Sequence, residues 1–328
     1  MNRILPYIFL IAVLTSSVSI TKAQIGFDPN LFFGKEEITI VVTDSGLGGL
    51  SVMDDIAKKL KTSGCFKKVS LIFVNALFDA NTGYNTLQTR QEKITIFSNV
   101  LTSIEKRFKA DAILIACNTL SVIYKETDFV KQSKTPVIGI VESGVKLMAE
   151  KLKSDNNSNV IIFGTETTIE EGSHKKALLA LKIADERIIT KSCPQLQSYI
   201  EQNPAGEETE MLITVYLNEA LEQLPEKNGN IYLSLNCSHF GYSYNLWKKA
   251  FANTPYKSGE ILDPNSIMGD FLVDKKYRNR NSGTEISFLV VSKVKLLNEN
   301  AMVSIFSEKT PELASAIQNY HLIPDLFN

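Results

Sequence analysis

The chain has 328 residues, 44% of them hydrophobic and 22% charged. That is the balance of an ordinary globular protein, long enough for one large core or two smaller domains. Lys+Arg 35 against Asp+Glu 36 leaves a net charge of −1 with no long run of one sign, so the electrostatic footprint of a nucleic-acid binder is missing.

At the N-terminus, Met1-Asn2-Arg3 precedes the apolar run Ile4 to Val13, a Ser/Thr-rich stretch and the small-residue ending Thr21-Lys22-Ala23. This pattern is that of a secretory signal peptide, residues 1–23, cleaved after Ala23. A membrane anchor is the alternative, but a spanning helix needs roughly 20 apolar residues and this run is about half that. The expectation is an exported protein, periplasmic or secreted, with no stable membrane insertion after cleavage.

The remainder alternates β-rich apolar runs with helical patterns, which argues for parallel βαβ units. Ile38 to Val42 reads as a strand, and Leu47 to Leu60 as a helix with Leu50, Met53, Ile56 and Leu60 at helical spacing. Val69 to Val74 is a second strand. A polar loop, Asp79-Ala80-Asn81-Thr82-Gly83-Tyr84-Asn85, leads to a long amphipathic helix from about Gln91 to Phe108. Ala112 to Ala116 is a third strand, ending on Cys117-Asn118-Thr119. A new series begins with the strand Val137 to Val141 and the helix Val145 to Leu152. The strand Val160 to Phe163, helices near Lys175 to Leu181 and Met211 to Leu224, and the strand Ile231 to Leu235 follow. The last ends on Asn236-Cys237-Ser238-His239.

An internal repeat emerges from the strand ends. Cys117 follows Asp44 by 73 residues, and Cys237 follows Thr165 by 72. The matched spacing predicts an α/β fold of two similar parallel-sheet domains in a pseudo-twofold relation, with an active-site cleft between the carboxyl ends of their strands.

Four cysteines in an exported chain, Cys65, Cys117, Cys193 and Cys237, also fit a pair of disulfides, and cysteine is often merely a core residue. Yet Cys117 and Cys237 both end apolar strands, where α/β proteins place their chemistry. Inverting a stereocentre at an amino acid's Cα requires a proton acceptor on one face and a donor on the other. A thiol, with an ordinary pKa of about 8.5, can serve as either. Asp44-Ser45 and His239 stand where they could hold the amino acid or assist a thiol. The glycines of Gly46-Leu47-Gly48-Gly49 lack the spacing of a phosphate cradle and suit a tight strand-to-helix turn instead. His174 and His321 have no metal-ligand spacing, so no metal is expected. Cys65 reads as structural or free, and Trp247 as buried in a helix after the second cysteine.

Five segments then agree with one family. Asp44-Ser45-Gly46-Leu47-Gly48-Gly49-Leu50-Ser51-Val52 resembles the N-terminal signature of glutamate racemase, and Ala116-Cys117-Asn118-Thr119 resembles its first cysteine motif. Cys193-Pro194 through Tyr199-Ile200-Glu201, then Cys237-Ser238-His239, then Ile261-Leu262-Asp263-Pro264 follow in family order. The likeness runs from about Ile38 to Leu272. It implies Cys117 and Cys237 as acid/base thiols, assistance from Asp44, Glu201 and His239, and amino-acid contacts from Ser45, Tyr84, Asn118, Thr119 and Ser238. It implies no cofactor. The partner it implies is a small-molecule amino acid, L- or D-glutamate or a close acidic analogue, with a homodimer as an option. By the same resemblance, residues 37–135 and 256–328 form one domain and residues 136–255 the other, the chain crossing near Pro136 and returning near Tyr256.

Departures from the family pattern concern the substrate. Thr82-Gly83-Tyr84-Asn85 stands where the family has a Pro-Tyr-Gly loop, Tyr84 being its nearest equivalent, and Asn236-Cys237-Ser238-His239-Phe240-Gly241 replaces Gly-Cys-Thr-His-Tyr-Pro. From Thr284 onward the likeness is loose. Two alternatives stand beside the racemase: an exported amino-acid-binding or sensing module without turnover, and an aspartate- or hydantoin-racemase activity on the same scaffold.

Overall fold

The structure, a computed structural model, describes residues 27–80, 82–224, 229–256 and 259–327. The expected signal peptide lies outside the described residues.

Among the described residues ten strands are assigned: β1 Glu37–Asp44, β2 Lys68–Asn75, β3 Ala112–Ile115, β4 Val137–Gly139, β5 Asn159–Gly164, β6 Ile188–Ser192, β7 Ile231–Asn236, β8 Gly259–Leu262, β9 Glu285–Ser292 and β10 His321–Leu322. They form two sheets, ordered β10-β9-β2-β1-β3-β4 and β6-β5-β7-β8. All their pairings are parallel. The four strands β2-β1-β3-β4 have the same order as β6-β5-β7-β8, so the predicted two-half α/β fold is present.

Parallel strands buried on both faces read as continuous apolar runs, which is why β1, β3, β5 and β7 stood out in the sequence. In the first sheet Ile40, Val42 and Leu114 pack with Leu50, Met53 and Ile56 of the helix Leu50–Ser63. Their neighbours Val41, Ile113 and Ile115 point the other way, onto Phe97 and Leu101 of the helix Arg90–Phe108. A capping box closes that helix's N-terminus, Thr89 and Glu92 each bonding the other's backbone N–H. In the second sheet Phe163, Leu233 and Leu235 pack with Trp247 and the helix Glu207–Leu221, whereas Val160 and Ile162 meet Met148 and Leu152 of the helix Ile140–Ser154. Trp247 is fully buried, as expected; burial of this kind is worth about 3–5 kcal/mol per large aromatic by truncation.

β4 pairs with β3, so the first sheet runs through Gly139. The strand stops short of the predicted Val141 because the helix Ile140–Ser154 starts at once, with Glu142 in its first turn, where a carboxylate favours the helix dipole. Likewise β8 pairs with β7, and the second sheet ends with Leu262. The C-terminal segment completes the first sheet: β9 pairs with β2 along eight residues, Lys68↔Glu285 to Asn75↔Ser292, with Met302, Phe306, Leu313 and Ile317 behind it in the core.

Candidate active site

The carboxyl ends of β1 and β3 meet those of β5 and β7. Beyond β1, the turn Ser45–Gly49 leads into its helix; beyond β3, Cys117 caps the short helix Asn118–Ser121. Ser45 Oγ lies 3.1 Å from Cys117 Sγ. Burial pushes the Cys117 thiol up to about 12, the nearby Asp44 adds to this, and the Ser45 hydroxyl partly offsets it. Asp44 itself is only 1% exposed; burial raises it above its ordinary value while His239 opposes the rise.

On the other side, β7 ends on Asn236 and delivers Cys237. Its Sγ stands 3.9 Å from His239 Nδ1, and His239 Nε2 stands 2.7 Å from Oε2 of Glu201, on the helix Leu196–Gln202. Burial alone would lower His239, but its contacts with Cys237 and Glu201 outweigh burial and hold it well above its ordinary value. For Glu201, burial pulls upward, and the bond to His239 wins, so its carboxyl lies below the usual range. Both shifts favour the charged forms of the pair, whose imidazole lies beside the Cys237 sulfur.

The two halves touch through these same segments. Tyr242 OH donates to Leu47 O at 2.9 Å. Asn265 Nδ2 bridges Ser51 Oγ and Ser238 O, each at 2.8 Å, and Thr119 Oγ1 meets Thr165 Oγ1 at 3.0 Å. The glycine-rich turn is explained by this contact rather than by phosphate. A Cβ on Gly48 would fall 2.3 Å from Ser238 Oγ and 2.8 Å from the His239 backbone nitrogen, so only a residue without one lets the first domain rest on the second.

Asp44, Ser45, Cys117, Asn118, Thr119, Glu201, Cys237, Ser238 and His239 are thus gathered at one junction. Tyr84 comes from the turn Tyr84–Thr86, buried edge-on against Phe78, where burial, with the Cys117 sulfur adding to it, holds its phenol well up. Several buried polar atoms here have no hydrogen-bond partner among the described residues: Asp44 Oδ2, Tyr84 OH, and both Nδ2 and Oδ1 of Asn118. Unpaired groups of this kind cost about 1–3 kcal/mol each and are paired in nearly all folded proteins. All four cysteines are free and buried; Cys65 sits apart, against Asp274 O, and Cys193 is buried in the second domain's core. Among the described residues no three His, Cys, Asp or Glu side chains converge as metal ligands, and no described helix is long and apolar enough to cross a membrane.

The structure adds Thr165, Tyr242, Asn265 and Asn298 to this junction. Thr165 was visible as a strand-end residue of the repeat. Asn298, whose Nδ2 lies 3.3 Å from Glu201 Oε1, had no sequence signal.

Residues 40–227 match the family described as Asp/Glu/hydantoin racemase. Among curated proteins, the chain is 25% identical to a glutamate racemase of Aquifex aeolicus over 246 residues, 75% of this chain and 85% of that one. It is 27% identical to a glutamate racemase of Aquifex pyrophilus over 202 residues, 61% of this chain and 70% of that one. Its fold is similar to the crystal structure of glutamate racemase isoform RacE1 from Bacillus anthracis, with a TM-score of 0.62 and 20% identity over 87% of this chain and 95% of that one.

Proposed function

The chain belongs to the Asp/Glu/hydantoin racemase family, and from that premise we propose that it interconverts L- and D-glutamate, or a close acidic amino acid, using Cys117 and Cys237 and no cofactor. The observation that carries the reading is the set of buried, unpaired polar atoms of Asp44, Tyr84 and Asn118 beside Cys117, together with the assisted Cys237–His239–Glu201 chain. The first set offers donors and acceptors for an amino acid's charged ends. The second supplies one of two proton-transfer groups.

The step balances simply. A thiolate on one side removes the Cα proton and becomes a thiol, leaving the electron pair on the amino acid, delocalised into its carboxylate. The thiol on the other side gives its proton to the opposite face of Cα and becomes the thiolate. Run in reverse, the roles exchange. The sites differ in their surroundings: Cys117, raised by burial and Asp44, rests as the thiol, whereas Cys237 has His239 Nδ1 3.9 Å from its sulfur, with Glu201 behind the imidazole. Positioned acid/base groups of this kind contribute typically 10²–10⁴-fold each.

The test is to incubate the purified protein with L- and D-glutamate in deuterated water without added cofactor. Deuterium at Cα of both enantiomers, lost in Cys117→Ala and in Cys237→Ala, is the expected result. No exchange, or exchange surviving both substitutions, overturns the reading. Calorimetric binding without exchange would favour the binding module, and exchange on aspartate or a hydantoin alone would move the substrate. Export is a further part of the proposal, supported by the apolar run Ile4 to Val13 and the Ala23 ending, and N-terminal sequencing of the protein from its native host tests it.

A further inference from the structure

Asn298 lies directly before the helix Glu299–Ser307, at its N-cap, yet its side chain makes no capping bond there. Asparagine is among the strongest capping residues, and here its amide is used elsewhere. It donates from Nδ2 to Glu201 Oε1 at 3.3 Å, reaching from the C-terminal segment of the first domain to a side chain of the second. The other carboxylate oxygen, Oε2, faces His239 Nε2 at 2.7 Å and the Leu47 backbone N–H at 3.4 Å. Glu201 thus has one partner in its own domain and two in the other. The charged or titratable groups facing this pair are Asp44, Cys237 and Tyr242, and none of them donates to Oε1. Leu297 beside it is 74% exposed, while Leu296 is buried in the first core and fixes the segment to that domain.

We infer that Asn298 is a positioning residue: its amide, reaching across from the first domain, fixes the rotation of the Glu201 carboxylate so that Oε2 stays on His239. The Cys237–His239–Glu201 chain is thereby tied to the first domain through a segment outside the residues, 40–227, that match the family. The inference rests on the racemase reading for its catalytic meaning, but not for the contact itself.

The test uses the full chain with Asn298→Ala and Asn298→Ser. Serine can cap the helix but is too short to reach Glu201, which separates positioning from capping. The chain has three histidines, so the His239 imidazole can be followed by NMR after assignment with His174 and His321 variants. Both substitutions are expected to lower the His239 titration midpoint, by about one unit. They are also expected to slow solvent-deuterium exchange from one enantiomer about tenfold more than from the other, with KM little changed. An unmoved His239 midpoint in both variants, or a wild-type midpoint in Asn298→Ser, overturns the inference. A shifted midpoint in a protein that exchanges neither enantiomer upholds the positioning role and overturns the racemase reading instead.

Discussion

Ser45 Oγ lies 3.1 Å from Cys117 Sγ, a pair 72 positions apart, and the β5–β7 ladder carries the same offset, pairing Gly164 with Asn236. One step beyond that ladder, Thr165 has the same register relation to Cys237, but its hydroxyl bonds those of Thr119 and Thr168 instead of the sulfur. The environment of Cys117 follows from this placement. Its carboxylate neighbour Asp44 raises the thiol, and the Ser45 hydroxyl stabilises the thiolate. The two substitutions therefore act in opposite directions. In a Cys237→Ser background, alkylation of Cys117 by iodoacetamide is expected to rise about tenfold per pH unit through pH 10, because the thiolate is the nucleophile. Asp44→Asn is expected to speed it and Ser45→Ala to slow it, read as the rate of carbamidomethylation at Cys117 by mass spectrometry.

Asp44 also sets function against stability. Its carboxyl is buried, its Oδ2 has no partner among the described residues, and burial raises its folded pKa. A folded pKa above the unfolded one means stability that is present below the unfolded value and lost as pH rises through the folded value. Replacing the acid with a neutral amide removes that loss. Asp44→Asn is expected to stabilise the apoprotein near neutral pH by about 1 kcal/mol, with a gain in Tm that grows from pH 4 to pH 8. Racemisation should fall at least 100-fold. A Tm difference that does not depend on pH would contradict the assignment.

The Glu201–His239 ion pair predicts a different pH window. Glu201 is lowered, so its contribution is present above the ordinary value of 4.5 and lost as pH falls through the folded value. His239 is raised, so its contribution is full below 6.5 and lost as pH rises through its folded value. The pair stabilises most between those two ordinary values. Glu201→Gln is expected to cost about 1.5–3 kcal/mol at pH 5.5–6 and progressively less at pH 9, measured by urea denaturation across pH.

How much of this was legible in the sequence depended on burial pattern. β1, β3, β5 and β7 are apolar runs covered on both faces, and their ends carry the residues that met at the junction. β6, Ile188–Ser192, escaped notice because only Ile188 and Ile189 are buried, which leaves no run to read. β9, Glu285–Ser292, alternates exposed and half-buried positions before its apolar end. Its parallel partner β2 is more than 200 residues away in the chain, so no local pattern announces the pairing. The domain-crossing contacts were illegible for the same reason. Thr165 meets Thr119 across 46 residues and Asn298 meets Glu201 across 97, and each is an ordinary polar residue whose meaning comes from the fold.

Tyr84 offers the most direct check on the altered substrate loop. It is 2% exposed and packs edge-on against Phe78 and Phe97, as a core aromatic would. Its hydroxyl, however, has no hydrogen-bond partner among the described residues, whereas a buried phenol normally finds one. A purely structural Tyr84 would leave substrate affinity untouched when that oxygen is removed. A substrate contact would show the opposite pair of effects in Tyr84→Phe: the apoprotein gains stability, by about 1–3 kcal/mol from removing an unpaired buried group, while KM for the amino acid rises five- to tenfold for one lost hydrogen bond. Both follow from a single substitution that keeps the ring packing. Thermal unfolding without substrate and initial rates with it decide the matter, and an unchanged KM would assign Tyr84 to the core of the first domain.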